Sequence, residues 1–482
     1  MKHIFKRIAA LSAASLISLS ALTACAEEVM LLDFIDQTGG SATFGGFELQ
    51  LLQLQEVDTG SGDLSEGNLF GYPATTTLSD AAFKRISDVE TAYDCKINIS
   101  YEDIEQEDLI LRYMGNNIKY DAIYSADHDG ALEAADSGIL LPLEDYMDYA
   151  NLLNTEKYGA VNVQEIVSFH GSIYGLCPVS WPYKQPRTIG LMVYNMDPIS
   201  QYGKLNPKEF LENGTWNWDA LEAIIKDYYV LEGEKEINSL AARNFDFARL
   251  LAQSNGVELA QLDSNGELVL NYGSEAQIEA LQWYKDVVSE NIDAFEGNFF
   301  STNALSWTNV ADAICEGTSM CGITAPDILY YDIIYRAKNI AVTPFPCGPR
   351  GDYGEWTGII EGQECFAVFK NTDEPETVIS IIDKICEPLE GFETYESLVD
   401  FIGNSVLYSV EDAEIVLNLH DFARYSYWSE EHSININDLY RDASSMLDEK
   451  TPAQIIGEYQ TKIPQYLEDY IIPNLPIYDI IK

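Results

Sequence analysis

Hydrophobic and polar positions follow two different periods along the chain from residue 47 onward. Short apolar runs at 47–55 and 95–101 predict strands. Between them, Phe83, Ile86 and Val89 recur at helical spacing behind Ser79 and Asp80, which predicts a capped helix over 79–93. The region 58–76 is rich in Gly, Ser, Asp and Thr and predicts a loop.

The same alternation of strand and helix patterns continues through the chain. Further strands are predicted at 120–124, 172–176, 190–194 and 340–343, with a hairpin turn at Asn265-Gly266. Further helices are predicted at 107–114, 132–136, 218–228, 274–288, 373–386 and 451–469. Strands that alternate with helices indicate an α/β fold in which each sheet is mostly parallel.

The first 25 residues have the pattern of a secretory leader. Three cations precede an apolar run over 8–22, which is followed by small residues. The run is short for a bilayer span, which takes about 20 residues. The sequence Leu22-Thr-Ala-Cys25 resembles the lipobox of bacterial lipoproteins and implies that Cys25 carries the lipid. We therefore expect a lipid-anchored protein on the outer face of the cell membrane, or in the periplasm where an outer membrane is present.

Composition excludes some partners and leaves the redox chemistry open. Without the leader, 25 cations face 78 acids, a formal charge of −53 that repels nucleic acid phosphates and acidic lipids. Seven cysteines remain after Cys25, and an odd number cannot all pair within one chain. Because they lie in apolar, strand-like segments, we interpret them mainly as buried thiols. The 458 residues from Cys25 suit two domains or one bilobed unit.

Several segments, in order, carry a resemblance to a known family. They are KYDAIY at 119–124 with AADSGILLPL at 134–143, GSIYGLCP at 171–178, LMVYNMD at 191–197, GTWNWDAL at 214–221, ICEGTSM at 314–320, NIAVTPFP at 339–346 and TPAQ at 451–454. Together they resemble the family-1 extracellular solute-binding proteins, the maltose-binding-like receptors of ABC importers. Residues 26–76 are longer and less regular than that family usually shows, and cysteine is unusually frequent.

The resemblance implies a two-lobed periplasmic-binding-protein-like fold (type II) whose lobes close on a ligand. It implies a first crossing at Cys177 and Pro178 and a second at Cys321 and Gly322. Lobe one would then comprise 46–177 and 322–370, and lobe two 178–321 and 371–482. Residues 25–45 would be the lipidated cysteine and its tether.

Candidate ligand contacts lie where segments leave the predicted strands, since sugar clefts combine flat aromatic faces with polar groups. The candidates are Asp127 and His128, Trp181 and Tyr183, Arg243 and Asn244, then Asp327, Trp356, Tyr425 and Trp428. Alternatives remain open for the three pairs: loop solvation for Asp127 and His128, lobe packing for Trp181 and Tyr183, and a helix start for Arg243 and Asn244. We interpret Trp216 and Trp218 as structural, and Trp307 as either.

No catalytic or metal motif stands out. The chain has no H-E-x-x-H, G-x-S-x-G, phosphate-loop or dinucleotide glycine motif, and its five histidines are scattered. A carboxylate pair of a glycosidase stays open among 78 acids. We expect a non-enzymatic monomer without cofactor or metal, which binds a carbohydrate and delivers it to ABC permease subunits. A receptor for peptides or polyamines, or a sensory or adhesive surface lipoprotein, is the alternative.

Overall fold

The computed structural model describes residues 43–54, 67–104, 106–125, 135, 137–159, 161–169, 172–257, 260–262, 268–270, 273–295, 307–425, 439–441 and 449–466. The strands are β1 Phe47–Leu54, β2 Cys95–Glu102, β3 Ala122–Ser125, β4 Ser168–Phe169, β5 Ser172–Ile173, β6 Gly175–Leu176, β7 Arg187–Ile189, β8 Leu191–Asn195, β9 Val230–Glu232, β10 Lys235–Ala241, β11 Ala260–Leu262, β12 Leu268–Leu270, β13 Ser319–Thr324, β14 Ile340–Pro344, β15 Ile359–Gly362, β16 Cys365–Val368 and β17 Arg424–Tyr425.

The α-helices alternate with these strands along most of the chain. They are α1 Thr77–Tyr93, α2 Gln106–Met114, α3 Thr155–Tyr158, α4 Val161–Ile166, α5 Met196–Gln201, α6 Pro207–Glu212, α7 Trp218–Tyr228, α8 Asn244–Ser254, α9 Glu275–Glu290, α10 Trp307–Glu316, α11 Pro326–Ile328, α12 Ile334–Arg336, α13 Pro375–Ile385, α14 Tyr395–Ser405, α15 Val410–Asn418, α16 Pro452–Tyr459 and α17 Lys462–Tyr466. A π-helical turn, Leu329–Ile333, joins α11 to α12.

The buried face of helix α1 follows the predicted helical spacing, but its start and the position of Phe83 differ from the prediction. Leu78, Ala82, Ile86 and Val89 are buried along one face, as helical spacing requires. The helix begins earlier than predicted, because the Thr76 side chain accepts a hydrogen bond from the backbone N–H of the third helical residue. Phe83, by contrast, is about half exposed, so it is not part of the buried face as predicted.

Two mixed sheets form the frame of the two lobes. The first has the order β2-β1-β3-β16-β6, in which β1 pairs in parallel with β2 and β3, while β16 is antiparallel to β3 and β6. The second has the order β14-β8-β13-β10-β9, in which β10 and β13 pair in parallel and β8 is antiparallel to β13 and β14. The sheets are thus less parallel than predicted, because β16 in the first sheet and β8 and β9 in the second run opposite to their neighbours.

Three hydrophobic clusters cover the faces of these sheets. One contains residues from both sheets together with helices α1, α13, α14 and α15. A second fills the other face of the second sheet, around Trp216, Trp218 and Tyr284. A smaller one lies against the first sheet between β1, β3 and α2. The burial of Trp216 and Trp218 confirms their structural interpretation, since their indole N–H groups donate to Pro344 O and Ser254 Oγ.

The second crossing between the lobes lies at a different place from the predicted one. Cys177 follows β6 directly, and the first crossing at Cys177 and Pro178 stays a prediction. Cys321 and Gly322, however, lie inside β13, the middle strand of the second sheet. The next strand, β14, was predicted to belong to lobe one but pairs with β8 in the second sheet. The second crossing therefore comes after Pro344 and before Cys365.

The crossing segments form a small sheet of their own, with the order β17-β15-β7. Strand β15 pairs in parallel with β17 and antiparallel with β7. Beyond this sheet, α13 packs on α1 and β16, whereas α15 packs on β14. The region 371–482, predicted to belong to lobe two, is thus divided between the two lobes.

Candidate functional site

One edge of each main sheet faces the crossing segments, and polar residues follow the strands that end at these edges. Strand β3 of the first sheet ends at Ser125, opposite Cys365, where β16 begins. The strand β13 of the second sheet ends at Thr324, opposite Leu191, where β8 begins. The carboxyl ends of parallel strands are the usual place for ligands in α/β folds. Segments 181–187, 326–331 and 363–364 meet there.

Lys184, Glu364, Tyr72 and Tyr124, here called the junction cluster, join the first crossing to the first sheet. Lys184 Nζ has no exposed surface and lies 2.5 Å from Glu364 Oε2. It also lies 4.9 Å from the centroid of the Tyr72 ring, in cation–π geometry. Tyr124 OH donates to the same carboxylate oxygen of Glu364. A single carboxylate is therefore shared by an ammonium and a phenol.

Burial sets the protonation of this cluster. It raises the pKa of the Tyr72 and Tyr124 phenols well above their usual values, so both remain donors. It lowers the pKa of the Lys184 ammonium, an effect that the nearby charge of Glu364 opposes. The backbone of the cluster is fixed as well, because Tyr72 OH donates to Pro182 O at 2.7 Å and Gln363 Nε2 donates to Lys184 O at 3.0 Å.

A second charge pair connects the first crossing with the second sheet. Arg187 Nε donates to Asp327 Oδ2 at 2.7 Å, and the two side chains keep 20% and 12% of their exposure. Burial raises the pKa of the Asp327 carboxyl, and the positive charge of Arg187 opposes that shift. Both carboxylates of the site, Glu364 and Asp327, therefore face a cation.

Tyr183, Tyr330, Tyr331 and Phe401, here called the aromatic cluster, line the same junction. The rings of Tyr183 and Tyr330 stack at 4.2 Å between centroids and 24° between planes. Tyr331 and Phe401 each lie 5.9 Å from Tyr183. Tyr183 has a φ of 63°, a left-handed conformation that is uncommon for an aromatic residue. Such strain often accompanies functional sites, where the surroundings hold it in place.

Buried polar atoms without a partner concentrate at this junction. Asp327 Oδ1, Tyr330 OH, Tyr331 OH, Gln363 Oε1 and Thr324 Oγ1 have no hydrogen-bond partner among the described residues. An unpaired buried polar atom costs about 1–3 kcal/mol, so a cluster of them in a native fold calls for an explanation. The set contains both donors and acceptors, which suits a ligand that carries hydroxyl groups.

The predicted ligand contacts differ in where the structure places them. Tyr183 and Asp327 lie at the junction itself. Trp181 is completely buried and its indole N–H donates to Glu387 O at 2.9 Å, which agrees with the alternative of lobe packing. Phe70 and Tyr72 pack against its ring.

Arg243 and Asn244 follow β10 at the corresponding edge of the second sheet. Arg243 forms an ion pair with Asp246, and its guanidinium carbon lies 4.8 Å from the centroid of the Phe245 ring. Asn244 is buried and its Oδ1 accepts from the backbone N–H of Phe245 at 2.8 Å. These contacts fit the helix-start alternative, because both residues engage the first turn of α8.

The remaining candidates lie apart from the junction or outside the described residues. Trp356 is partly buried against the second sheet's hydrophobic cluster and makes an edge contact of 5.2 Å with Tyr353. Only the backbone of Tyr425 is described, as part of β17. Cys25, Asp127, His128 and Trp428 lie outside the described residues. Asp127 and His128 follow β3 within three residues of Ser125, and they stay predictions.

Sequence reasoning missed the junction cluster and Arg187. Tyr124 and Glu364 are separated by 240 positions, so no local pattern could connect them. One usable signal was present: Lys184 and Arg187 are two cations within four residues in a chain that has few. A cation placed among prolines at a crossing predicts a carboxylate partner, although not which one.

Other features of the described residues bear on the kind of site. All seven described cysteines carry free thiols, and five of them are buried, as predicted. No group of three or more potential metal ligands occurs in the part of the chain that the structure describes. Within the same ranges, no helix is long and apolar enough to cross a membrane.

Comparisons with known proteins identify the fold. No protein-family model matches the chain, and no curated protein matches it in sequence. Its structure is similar to that of a sugar transporter from Rhizobium etli in an open conformation, with a TM-score of 0.60, 13% identity, and coverage of 86% of this chain and 98% of that chain.

Two ligand complexes are similar as well. One is a cyclo/maltodextrin-binding protein complexed with maltotetraose, with a TM-score of 0.58, 14% identity, and coverage of 87% and 97%. The other is the ABC substrate-binding protein Lmo0181 of Listeria monocytogenes in complex with cycloalternan, with a TM-score of 0.57, 14% identity, and coverage of 88% and 99%. The chain therefore has the two-lobed fold of the maltose-binding-like substrate-binding proteins, which confirms the predicted fold class.

Proposed function

We propose that this protein is the substrate-binding lipoprotein of an ABC importer and that it captures a neutral carbohydrate between its lobes. The observation that carries the proposal is the junction itself. There the edges of two sheets bring together stacked tyrosines, unpaired buried polar atoms and carboxylates that already face cations.

Aromatic faces and hydroxyl partners suit a sugar. The apolar face of a pyranose packs on rings such as that of Tyr183, while its hydroxyl groups exchange hydrogen bonds with Tyr330 OH, Tyr331 OH and Asp327 Oδ1. Three similar structures were solved as a sugar transporter, a maltodextrin complex and a cycloalternan complex. These likenesses support a carbohydrate more than they support another solute.

Charge balance at the junction argues against a cationic ligand. The whole chain carries 78 acids against 28 cations, so an acidic cleft would be the default. Instead, Glu364 pairs with Lys184 and Asp327 pairs with Arg187. A polyamine or a basic peptide would have to displace one of these internal cations. A neutral ligand need not, and the polyamine alternative therefore has less support.

The same pairing supports a receptor more than an enzyme. A glycosidase needs two carboxyl groups that flank the bond, one to donate a proton and one to act as base or nucleophile. In the described site each carboxylate is held by a cation.

We propose that Cys25 carries the membrane anchor and that a permease and its ATPase, as separate chains, receive the ligand on the cell surface.

The test is ligand binding by the intact lipidated chain, kept in a detergent without a sugar headgroup. Thermal-shift screening with neutral oligosaccharides, peptides and polyamines is followed by calorimetry. A ligand at 100 times its Kd adds about 2.7 kcal/mol of stability, which raises the midpoint. We expect a shift with one class of neutral glycan and no hydrolysis products by chromatography. A response to polyamines alone would overturn the carbohydrate proposal, and glycan turnover would overturn the receptor.

Matched variants connect binding to the junction. Tyr330→Phe and Tyr331→Phe each remove one buried hydroxyl and should weaken glycan binding roughly tenfold, the loss of about 1.4 kcal/mol from a hydrogen bond. Tyr408→Phe is the control, because Tyr408 is 77% exposed on the surface. Equal binding by all three variants would place the ligand elsewhere.

A further inference from the structure

Lys184 has the surroundings that proteins use to bind an ammonium ligand. Its Nζ lies over the face of Tyr72 at 4.9 Å and at 2.5 Å from Glu364 Oε2, and it is completely buried. An aromatic face combined with a carboxylate is the arrangement that recognises organic cations. Here the cation is supplied by the chain itself.

The surroundings of Lys184 are held by contacts that do not depend on its ammonium group. Tyr72 OH is fixed by Pro182 O at 2.7 Å. Tyr124 OH donates to Glu364, and Gln363 Nε2 donates to the carbonyl oxygens of both Lys184 and Glu364 at 3.0 Å. Removal of the Lys184 side chain alone therefore leaves a formed site with a buried carboxylate that lacks its cation.

We propose that the ammonium group of Lys184 occupies an internal cation site at the lobe junction, formed by Glu364 and Tyr72, and thereby excludes small organic cations from that site. The proposal goes beyond the proposed binding function, because it assigns a cation site inside the lobe junction. It also explains why the Lys184 ammonium is completely buried: burial of a charge costs free energy unless an opposite charge, here the Glu364 carboxylate, pairs with it.

The space left by Lys184 determines which ligand could replace its side chain. Truncation at Cβ, as in Lys184→Ala, removes three carbon atoms and the ammonium group, which together correspond to n-propylammonium. That ion should bind the variant, because it restores the contacts with Glu364 and Tyr72. With so few atoms its Kd is expected on the order of 1 mM. The isosteric alcohol n-propanol fills the same volume but lacks the charge.

The experiment measures the thermal midpoint of the intact chain with n-propylammonium and n-propanol. We expect saturable stabilisation of Lys184→Ala by the amine, no comparable effect of the alcohol, and no response of the wild type to the amine. Lys184→Met fills the space without charge and should not respond. In Lys184→Ala combined with Glu364→Gln, the amine should bind roughly tenfold more weakly or not at all.

Each outcome decides the proposal. A folded Lys184→Ala that ignores the amine, or a wild type that binds it equally well, would overturn it. If Lys184→Ala does not fold alone, recovery of the folded state with the amine but not the alcohol supports the proposal, and no recovery overturns it. Glycan binding is measured separately on the wild type, so a failure of the carbohydrate function is distinct from a failure of this inference.

Discussion

Arg187 Nε donates to Asp327 Oδ2 at 2.7 Å, so the first crossing is tied to the segment that follows the middle strand of the second sheet. Asp327 lies at the same edge as Thr324, and Arg187 begins the small sheet of crossing strands. One ion pair thus connects the first crossing segment with the region proposed to contact ligand. That position makes the pair a useful target.

Loss of Arg187 should destabilise the fold more than loss of a surface arginine. Arg187→Ala leaves the mostly buried Asp327 carboxylate without its cation, which should lower the free energy of unfolding by about 3 kcal/mol. Arg336→Ala is the control from a nearby helix, since its pairs with Asp312 and Asp332 are partly exposed and worth about 0–1 kcal/mol. Denaturant unfolding compares them, and equal losses would contradict a structural role of the pair.

Gly358 is expected to reject a side chain because three crossing segments meet there. A Cβ at this position would lie 2.6 Å from Thr188 Cγ2 and 3.3 Å from Ala423 Cβ. Gly358→Ala should therefore destabilise the protein by about 1–3 kcal/mol and shift its ligand affinity.

Gly457 in α16 provides the matched control, because a Cβ there meets nothing within 4 Å. Gly457→Ala should stabilise the helix by about 0.5–1 kcal/mol. Both variants are measured by thermal unfolding and by glycan calorimetry. Opposite signs of the two stability changes are the expected result, and a tolerated Gly358→Ala would show that the crossings repack freely.

Asp383 should make stability depend on acid pH. Its Oδ1 accepts from Lys157 Nζ at 2.7 Å and from Tyr158 OH at 2.6 Å. Burial alone would raise the pKa of this carboxyl, but the charge of Lys157 and these hydrogen bonds prevail, and the pKa lies below its usual value of 3.8. The folded state therefore binds fewer protons than the unfolded state as pH falls past 3.8, so this stabilisation is present above 3.8 and is lost as pH falls through the folded pKa.

Asp383→Asn tests that linkage. The difference in unfolding free energy between wild type and variant should be largest near neutral pH and should shrink below about pH 4. Asp88→Asn removes an ion pair with Lys84 whose side chains are about half exposed, and it serves as the surface control. A wild-type advantage that stays constant down to pH 3 would contradict the predicted contribution of Asp383.

The described thiols should react slowly in the native protein. Burial raises the pKa of Cys177 well above its usual value and that of Cys315 to about 11, so at pH 8 only about 0.1% of Cys315 is thiolate. Iodoacetamide labelling followed by mass spectrometry should modify at most the partly buried Cys95 and Cys315 before unfolding, and all seven described cysteines afterwards. Rapid native labelling of Cys177, or a disulfide in the purified protein, would be the opposite result.

Local patterns predicted the bounds of helices and strands well where the periodicity of the segment itself shows which of its sides is buried. Helix α7 has the predicted bounds, and β1 and β2 differ from prediction by one residue. Patterns were less successful where the partner is distant. Trp181 lies between prolines, which left a ligand wall and lobe packing both open, and only its indole N–H bond to Glu387 O, 206 positions away, favours packing. Likewise Cys321 and Gly322 read as a crossing although they form a central strand.

The sequence by itself indicated the α/β alternation and the buried cysteines, because each depends on neighbouring residues along the chain. The two-lobed class followed from the resemblance of the ordered motifs to a known family, and the leader and the anchor at Cys25 stay predictions. Only the tertiary structure decided where the lobes cross, which charges neutralise one another and which tyrosines stack. Those relationships join residues such as Lys184 and Glu364, 180 positions apart, whose approach is set by the pairing of strands and the closure of loops rather than by any local preference.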